Sequence, residues 1–490
     1  MRLSARGENS EISAIGRARR GEYRVVDATS RCKGENVKKI GRLAAVFGLT
    51  MLLSGCTVTG LDAQTLMAPP SANTDQQEIQ KLLLGDKPDV TYVYPRGGDY
   101  RSAVIMHDFD GDGVEDAIGF MLMEDGVEVR FLSKNEAGAW RTAAAFKNPA
   151  TQVDRVCFGD LNGDGSDEIM IGWGNTQNNM SAALCVYTVS EGFVSEIHAE
   201  NPYGGLVLTD FDHDGTMEIF VIRRPVPAAD ESEQSEPARA ELLTLQGDEL
   251  VSGLSVEADN SIVKYSSLVF GKISRDQYAV VLDGAKADSS MTTQIFYIGD
   301  SGRLLNIPPG VNTEGVANPL YRPAGAGGIA RDIDGDGIIE FPVVSMLPAI
   351  ADPAAVDSTS FLVDWSKFDS EKMEYRSTKK TLVNYAEGYW FTLPQSLAGK
   401  ITAINDSKLK AVTYYSVSEK AGENQEPLMG SPLFTIRVFT RAAWQQRGQT
   451  SGYEKLDEKD DYVYGIAVSA TDEMIGPSIG TIKRSFQTDG

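Results

Sequence analysis

The chain has 490 residues, 42% of them apolar, enough for sizeable buried cores in one or two domains. Its 69 Asp and Glu outnumber 46 Lys and Arg, and basic residues crowd into the first 55 positions (11 against 5 acidic), so the remainder carries a net charge of −29. An acidic body without Lys/Arg stripes excludes nucleic acid as a partner, because phosphates require such stripes.

Near the start, Lys38, Lys39 and Arg42 precede the apolar run Leu43–Leu53, which ends in Ser54-Gly55-Cys56. A basic segment, a short apolar core and small residues before a cut describe a secretory signal. The run is too short for a membrane span of about 20 residues. Leu53-Ser54-Gly55-Cys56 resembles the bacterial lipobox. The resemblance implies that Cys56 becomes the lipidated first residue of an exported chain, held on the extracytoplasmic face of a cell membrane by its acyl chains. Residues 1–55 are thus expected to be leader and signal peptide. Residues 1–36 are polar and precede a complete signal, so translation is expected to begin near Val37. Residues 56–87 read as a tether, with Pro69, Pro70, Ser71 and Asn73 in it and a short helix at Gln77–Leu84.

Four acidic loops follow: Asp108-Phe-Asp110-Gly-Asp112-Gly113-Val114-Glu-Asp116, Asp160-Leu-Asn162-Gly-Asp164-Gly165-Ser166-Asp-Glu168, Asp210-Phe-Asp212-His-Asp214-Gly215-Thr216-Met-Glu218 and Asp332-Ile-Asp334-Gly-Asp336-Gly337-Ile338-Ile-Glu340. Each sets oxygen side chains at positions 1, 3, 5 and 9, with glycine at position 6 to take a turn with φ > 0. The backbone carbonyls of Val114, Ser166, Thr216 and Ile338, at position 7, would complete an all-oxygen cage. Calcium tolerates six to eight such ligands in a flexible geometry, whereas magnesium demands a strict octahedron. Up to four calcium ions are therefore expected. Without them the clustered carboxylates repel one another, so the fold is expected to depend on the metal.

These are not EF-hands. Position 12 is Gly119, Ile171, Val221 and Val343, none able to supply the bidentate carboxylate of that motif. The runs Ala117–Met123, Ile169–Trp173, Ile219–Ile222 and Phe341–Met346 are short and apolar, as buried strands are. Each loop therefore reads as the connection of a strand hairpin. The loops begin at 108, 160 and 210, and the gap to 332 leaves room for two units with one site missing. A degenerate copy stands there: Leu268-Val-Phe270-Gly271-Lys272, followed by Tyr278–Leu282, with Lys272 replacing the first ligand. Repeats of about 50 residues with four short strands each indicate blades of a β-propeller.

The loops, their spacing and the Phe-Gly pair at 158–159 and 270–271 resemble the FG-GAP/VCBS repeat family. That resemblance covers residues 88–382. It implies a calcium-binding propeller with the ions on one rim, held by the side chains at positions 1, 3, 5 and 9. It does not imply a partner, since many functions share this scaffold.

Arg224–Ala240, rich in Pro, Glu, Ser and Ala, reads as an acidic excursion from the third repeat. Residues 384–490 lack the acidic loop. Tyr389–Leu393, Ile401–Ile404, Lys410–Ser416, Phe434–Phe439 and Asp461–Val468 read as strands, and Thr471–Phe486 as a final helix. This region is either a small C-terminal α+β domain or one or two degenerate blades. The expected fold is mainly β, a propeller of about five to seven four-stranded blades with that C-terminal part.

Cys157 and Cys185 fall on the first and third strands of one unit, which are not neighbours, so two buried thiols are expected rather than a disulfide. His107, His198 and His213 read as surface or packing residues, and the five tryptophans as strand-packing aromatics. No nucleophile elbow, zinc pair or phosphate-binding glycine loop is present. The expected function is therefore non-enzymatic: a calcium-stabilised cell-surface lipoprotein that binds a protein, peptide or glycan. The alternative is a propeller-based polysaccharide hydrolase or lyase of the cell envelope.

Overall fold

The computed structural model describes residues 74–488, apart from 86–89, 176–177, 191, 229–234, 308–317, 349–358, 373, 418–427, 449–450 and 470–475. The segments expected to be signal peptide and lipidated Cys56, and most of the expected tether, lie outside the described residues, as does Thr471. Residues from Ala72 onward form one compact unit.

Among the described residues, six antiparallel sheets of four or five strands follow one another along the chain. Sheet 1 holds Val104–His107, Asp116–Met123, Gly126–Lys134 and Trp140–Asn148, with Thr91–Tyr92 added beside the second of these. Sheet 2 runs from Gln152 to Tyr203, sheet 3 from Gly205 to Glu257 and sheet 4 from Ile262 to Ile307, each a four-stranded meander in chain order. Sheet 5 contains Phe341–Met346, Ser360–Asp369, Glu374–Asn384 and Tyr389–Thr392, and the C-terminal strand Gln487–Thr488 pairs onto its last member. Sheet 6 orders Ile401–Asp406, Ala411–Val417, Met429–Thr440, Tyr462–Val468 and Glu454–Lys459. The expected boundary between 382 and 384 thus falls inside sheet 5, because Tyr389–Thr392 pairs with Glu374–Asn384.

Each sheet buries apolar side chains against the next. Phe120 and Phe131 of sheet 1 share a cluster with Ile171 and Trp173 of sheet 2. Leu184 of sheet 2 meets Val221 of sheet 3, Phe220 of sheet 3 meets Phe296 of sheet 4, and Ile295 of sheet 4 meets Phe341 of sheet 5. Phe391 of sheet 5 packs with Tyr414 and Phe434 of sheet 6. The second strands are therefore sandwiched on both faces, which is why 117–121, 169–173 and 219–222 are buried without alternation. The fourth strand of sheet 3, Glu249–Glu257, is a mostly exposed edge.

The two ends of this row are finished by helices. Helix Thr74–Leu84 lays Ile79 and Leu83, one turn apart, on Ala117, Met121 and Leu132, the face of sheet 1 opposite sheet 2. Gly119 makes room for it: a Cβ there would meet Leu83 Cδ2 at 2.6 Å. Arg130 donates to the helix carbonyls of Leu82 (2.6 Å) and Leu83 (3.1 Å), groups that a helix C-terminus leaves without intrahelical partners. On sheet 6, helix Arg441–Arg447 sets Trp444 against Phe439 and Val463. Among the described residues no core cluster joins sheets 1 and 6.

Sheet 4 contains a fully buried ion pair. Arg322 donates to Asp283 (2.8 Å) and to Thr293 Oγ1 (2.7 Å), while the Ala330 N–H donates to the other Asp283 oxygen (2.8 Å). This pins residues 322–330, the segment that leads into the fourth acidic loop. No disulfide joins Cys157 and Cys185; Cys185 is buried as expected, whereas Cys157 is half-buried.

Leu83 is fully buried against sheet 1. Leu83→Ala is expected to lower stability by about 2–4 kcal/mol, the cost of a large-to-small change in a core. Equilibrium urea unfolding checks this.

Candidate metal centre

Three acidic loops lie between the first and second strands of sheets 1, 2 and 3, and the fourth immediately precedes Phe341–Met346, the first strand of sheet 5. The first three are strand–loop–strand hairpins. The fourth is entered by a single bridge, Arg331 to Glu340, because the preceding Ala324-Gly-Ala-Gly-Gly328 lacks strand-forming side chains.

One hydrogen-bond pattern recurs. The position 1 carboxylate accepts from the position 6 N–H: Asp108 from Gly113 (2.8 Å), Asp160 from Gly165 (2.9 Å), Asp210 from Gly215 (3.2 Å) and Asp332 from Gly337 (2.8 Å). Position 3 accepts from position 5, as Asp110 does from Asp112 (3.2 Å) and Asn162 from Asp164 (2.8 Å). Position 5 accepts from position 7, as Asp112 does from Val114 (2.7 Å) and Asp214 from Thr216 (2.8 Å). These side-chain-to-backbone bonds are how Asp and Asn hold turns. Positions 4 and 6 lie in the left-handed region throughout. His213 holds position 4 of the third loop with φ 62, where the other loops have glycine.

Position 9 is different in kind. Asp116, Glu168, Glu218 and Glu340 are 2%, 2%, 4% and 0% exposed, whereas position 5 is exposed in every loop. One carboxylate oxygen is tied down by the position 2 N–H: Leu161 to Glu168 (2.8 Å), Phe211 to Glu218 (2.7 Å) and Ile333 to Glu340 (2.8 Å), with Phe109 serving Asp116. The position 2 side chains Phe109, Leu161 and Phe211 are buried and anchor the loop to the core. Their role is legible in the sequence as an apolar residue at position 2 of every loop, a regularity the ligand spacing alone does not use.

The carboxylates converge. Oxygens of Asp108, Asp110 and Asp116 lie within 4.8 Å of one another, as do those of Asp210, Asp212 and Glu218 and those of Asp332, Asp334 and Asp336. These groups could hold a metal ion. In the first loop the buried oxygens Asp108 Oδ1 and Asp116 Oδ2 have no hydrogen-bond partner, which fits a cation between them. In the second loop Asn162 Nδ2 donates to Asp164 (3.1 Å) and Glu168 (2.9 Å), bridging the carboxylates with a neutral amide. In the fourth, Lys367 from sheet 5 pairs with Asp334, Asp336 and Glu340. No feature of the sequence joins Lys367 to that loop.

The loops are also linked to one another. His107, just before loop 1, bonds Asp167 of loop 2 at 2.8 Å and stacks on Phe158. The Met217 N–H of loop 3 donates to the Asp160 carbonyl of loop 2 (2.8 Å). The His213 ring lies 4.3 Å from that of Tyr278 in sheet 4, and the Ile339 N–H of loop 4 donates to the Lys272 carbonyl of sheet 4 (2.8 Å). Two histidines read as packing residues thus bridge neighbouring sheets. The degenerate unit has a shortened turn, closed by the Ile273 N–H on the Gln277 carbonyl (3.0 Å), and Lys272 lies over the Tyr278 ring. All five tryptophans are buried.

Burial pushes Asp116, Glu168 and Glu218 up to about 7, with repulsion from the other carboxylates of each loop adding to it. Glu340 is raised by burial too, but Ile333 and Lys367 oppose the shift.

No family model matches the chain, and no curated protein matches it. Among solved structures, Sqt1 from Chaetomium thermophilum aligns over 78% of this chain and 82% of its own, at 10% identity and a TM-score of 0.26. A hypothetical selenium-binding protein from Sulfolobus tokodaii aligns over 66% of each chain, at 9% identity and a TM-score of 0.24. Overlap this loose defines no shared fold.

The raised carboxylates set a pH dependence for the metal-free protein. Between the ordinary carboxylate range near 4 and about 7, the folded state binds more protons at Asp116, Glu168 and Glu218 than the unfolded chain does. Stability from these groups therefore falls as pH rises through that window. Thermal unfolding in chelator from pH 4.5 to 7.5 is expected to show the midpoint falling, and saturating divalent cation is expected to flatten or reverse the trend.

Proposed function

We propose that the chain is an exported bacterial lipoprotein whose body is a calcium-stabilised row of propeller blades serving as a binding scaffold at the cell surface. The observation that carries the metal reading is the first loop, where two buried and unpartnered carboxylate oxygens face a cluster of three acidic side chains. The donor set is hard and all oxygen, as calcium prefers. Repetition of the same hydrogen-bond pattern in three more loops supports a common ancestral ligand.

Successive antiparallel sheets of four or five strands, each packed face-on against the next, support the blade reading. In this reading the helix Thr74–Leu84 stands where a closing blade would pack on sheet 1. The role of calcium is structural: it neutralises the carboxylates that tie the start of each second strand to its loop. Cys56 would anchor the body to a membrane through lipid. The partner is a protein, peptide or glycan, met on the loop-bearing side or the exposed outer strands. Affinity for calcium is expected near 10⁻⁴ to 10⁻³ M, roughly the range of extracellular modules.

Thermal unfolding of the chain from Thr57 onward, in calcium, magnesium or chelator, tests the proposal. Calcium is expected to raise the midpoint and magnesium to leave it nearly unchanged; each site filled at fifty times its Kd contributes about 2 kcal/mol. Asp116→Asn is expected to remove one site's share of that gain. Equal midpoints in calcium and chelator would overturn the reading.

A further inference from the structure

The fourth loop differs from the other three by a side chain that belongs to another strand. Lys367 lies in Ser360–Asp369, the second full strand of sheet 5. Its Nζ is 3.2 Å from Asp334 Oδ2 and 3.1 Å from Glu340 Oε1, and it bonds Asp336 Oδ2 as well. These are the side chains at positions 3, 9 and 5. The remaining ligand, Asp332, is taken by backbone: Gly335 (2.6 Å) and Asp336 (3.2 Å) donate to one oxygen and Gly337 (2.8 Å) to the other. Among the described residues, no Lys or Arg pairs with a position 1, 3, 5 or 9 side chain of the first three loops.

We propose that Lys367 stands in for the metal in the fourth loop, so that this loop is closed by the protein's own cation and takes no calcium, while the first three loops depend on it. The inference rests on the calcium reading of those three loops.

The chemistry is specific. An ammonium has three N–H donors and no acceptor, and here it donates to Asp334 and Asp336 and forms an ion pair with Glu340. Lys367 reaches three side chains of the loop with one charged group on its own strand, whereas calcium needs six or more oxygens around it. A calcium ion at this point would have to expel Lys367, because two cations cannot share the cluster. Lys367 is held there by its own strand, so it loses no translational freedom on pairing, as a free ion does. It also sets a positive charge beside Glu340, which is fully buried and would otherwise be an uncompensated charge.

The neighbouring unit follows the same logic. Lys272 occupies position 1 in sheet 4, and its carbonyl accepts the Ile339 N–H of the fourth loop. The units therefore divide into a calcium-dependent set on sheets 1 to 3 and a metal-free set on sheets 4 and 5, where sheet 4 has no acidic loop and Lys367 closes that of sheet 5. Calcium withdrawal would loosen the first set and leave the second in place.

Two measurements on the full chain test this. First, bound calcium is counted by equilibrium dialysis in the parent and in Lys367→Met, a change that keeps the stem and removes the charge. The variant is expected to bind one ion more than the parent. It is also expected to unfold at a lower temperature in chelator and to gain more from calcium than the parent does. Second, hydrogen exchange of the parent is compared in calcium and in chelator, which keeps the question decidable if the variant does not fold. Exchange is expected to speed up at least tenfold in 108–116 and 210–218 and to change less than twofold in 332–340. An equal, non-zero count in parent and variant overturns the lysine assignment, as does loss of protection in 332–340. No calcium in either protein overturns both the assignment and the calcium reading. No calcium in the parent but one ion in the variant supports the assignment and overturns the calcium reading of the first three loops.

Discussion

A carboxylate buried at the first residue of a strand is the constraint on which the loop architecture depends. Asp116, Glu168, Glu218 and Glu340 each lose nearly all contact with water, yet each receives just one backbone N–H, from position 2 of its own loop. Desolvating an anion is costly unless charge or further hydrogen bonds compensate. Every loop therefore needs something positive near position 9. The second loop answers with the N–H of a bridging amide and the fourth with a lysine, while the first leaves its buried oxygens unpartnered.

The same position ties the loop to the core. The N–H that serves the carboxylate comes from the residue whose side chain, Phe109, Leu161 or Phe211, is buried between sheets. Loop closure and sheet packing are thus coupled through one residue, and the loop cannot open without disturbing the apolar cluster beneath it. Bonds from loop to loop extend this coupling along the row, through His107 and Asp167, Met217 and Asp160, and Ile339 and Lys272. Sheet 4, which lacks an acidic loop, has the buried Arg322–Asp283 pair instead, and that pair fixes the segment entering the fourth loop.

Much of this was legible in the chain. The loop spacing placed four turns between strands, and the degenerate copy at Lys272 placed a unit without a site. The apolar runs after each loop became strands buried on both faces, and the strands expected beyond residue 384 formed. The helix expected at Gln77–Leu84 begins at Thr74, and the one expected at Thr471–Phe486 is Gly476–Ser485 among the described residues. Less legible was the division of the C-terminal region. Strand Tyr389–Thr392 carries no mark that it completes a sheet begun at Phe341, because an edge strand is chosen by the neighbour it meets and not by its own pattern.

By itself the sequence determined the local chemistry: which side chains carry oxygen, which positions need a left-handed turn and which runs are apolar enough to be buried. Those properties act over fewer than ten residues, so spacing suffices to read them. The tertiary structure alone decided that a lysine side chain meets the carboxylates of the fourth loop. Lys367 lies 27 residues beyond Glu340 in the chain, and only the pairing of Phe341 with Ser366 across two strands brings its ammonium to the carboxylates. It likewise decided that a helix from the tether covers the free face of sheet 1, since the fit of Leu83 over Gly119 exists only once both are folded. Charge compensation and steric fit act through space, and a linear spacing rule carries no record of them.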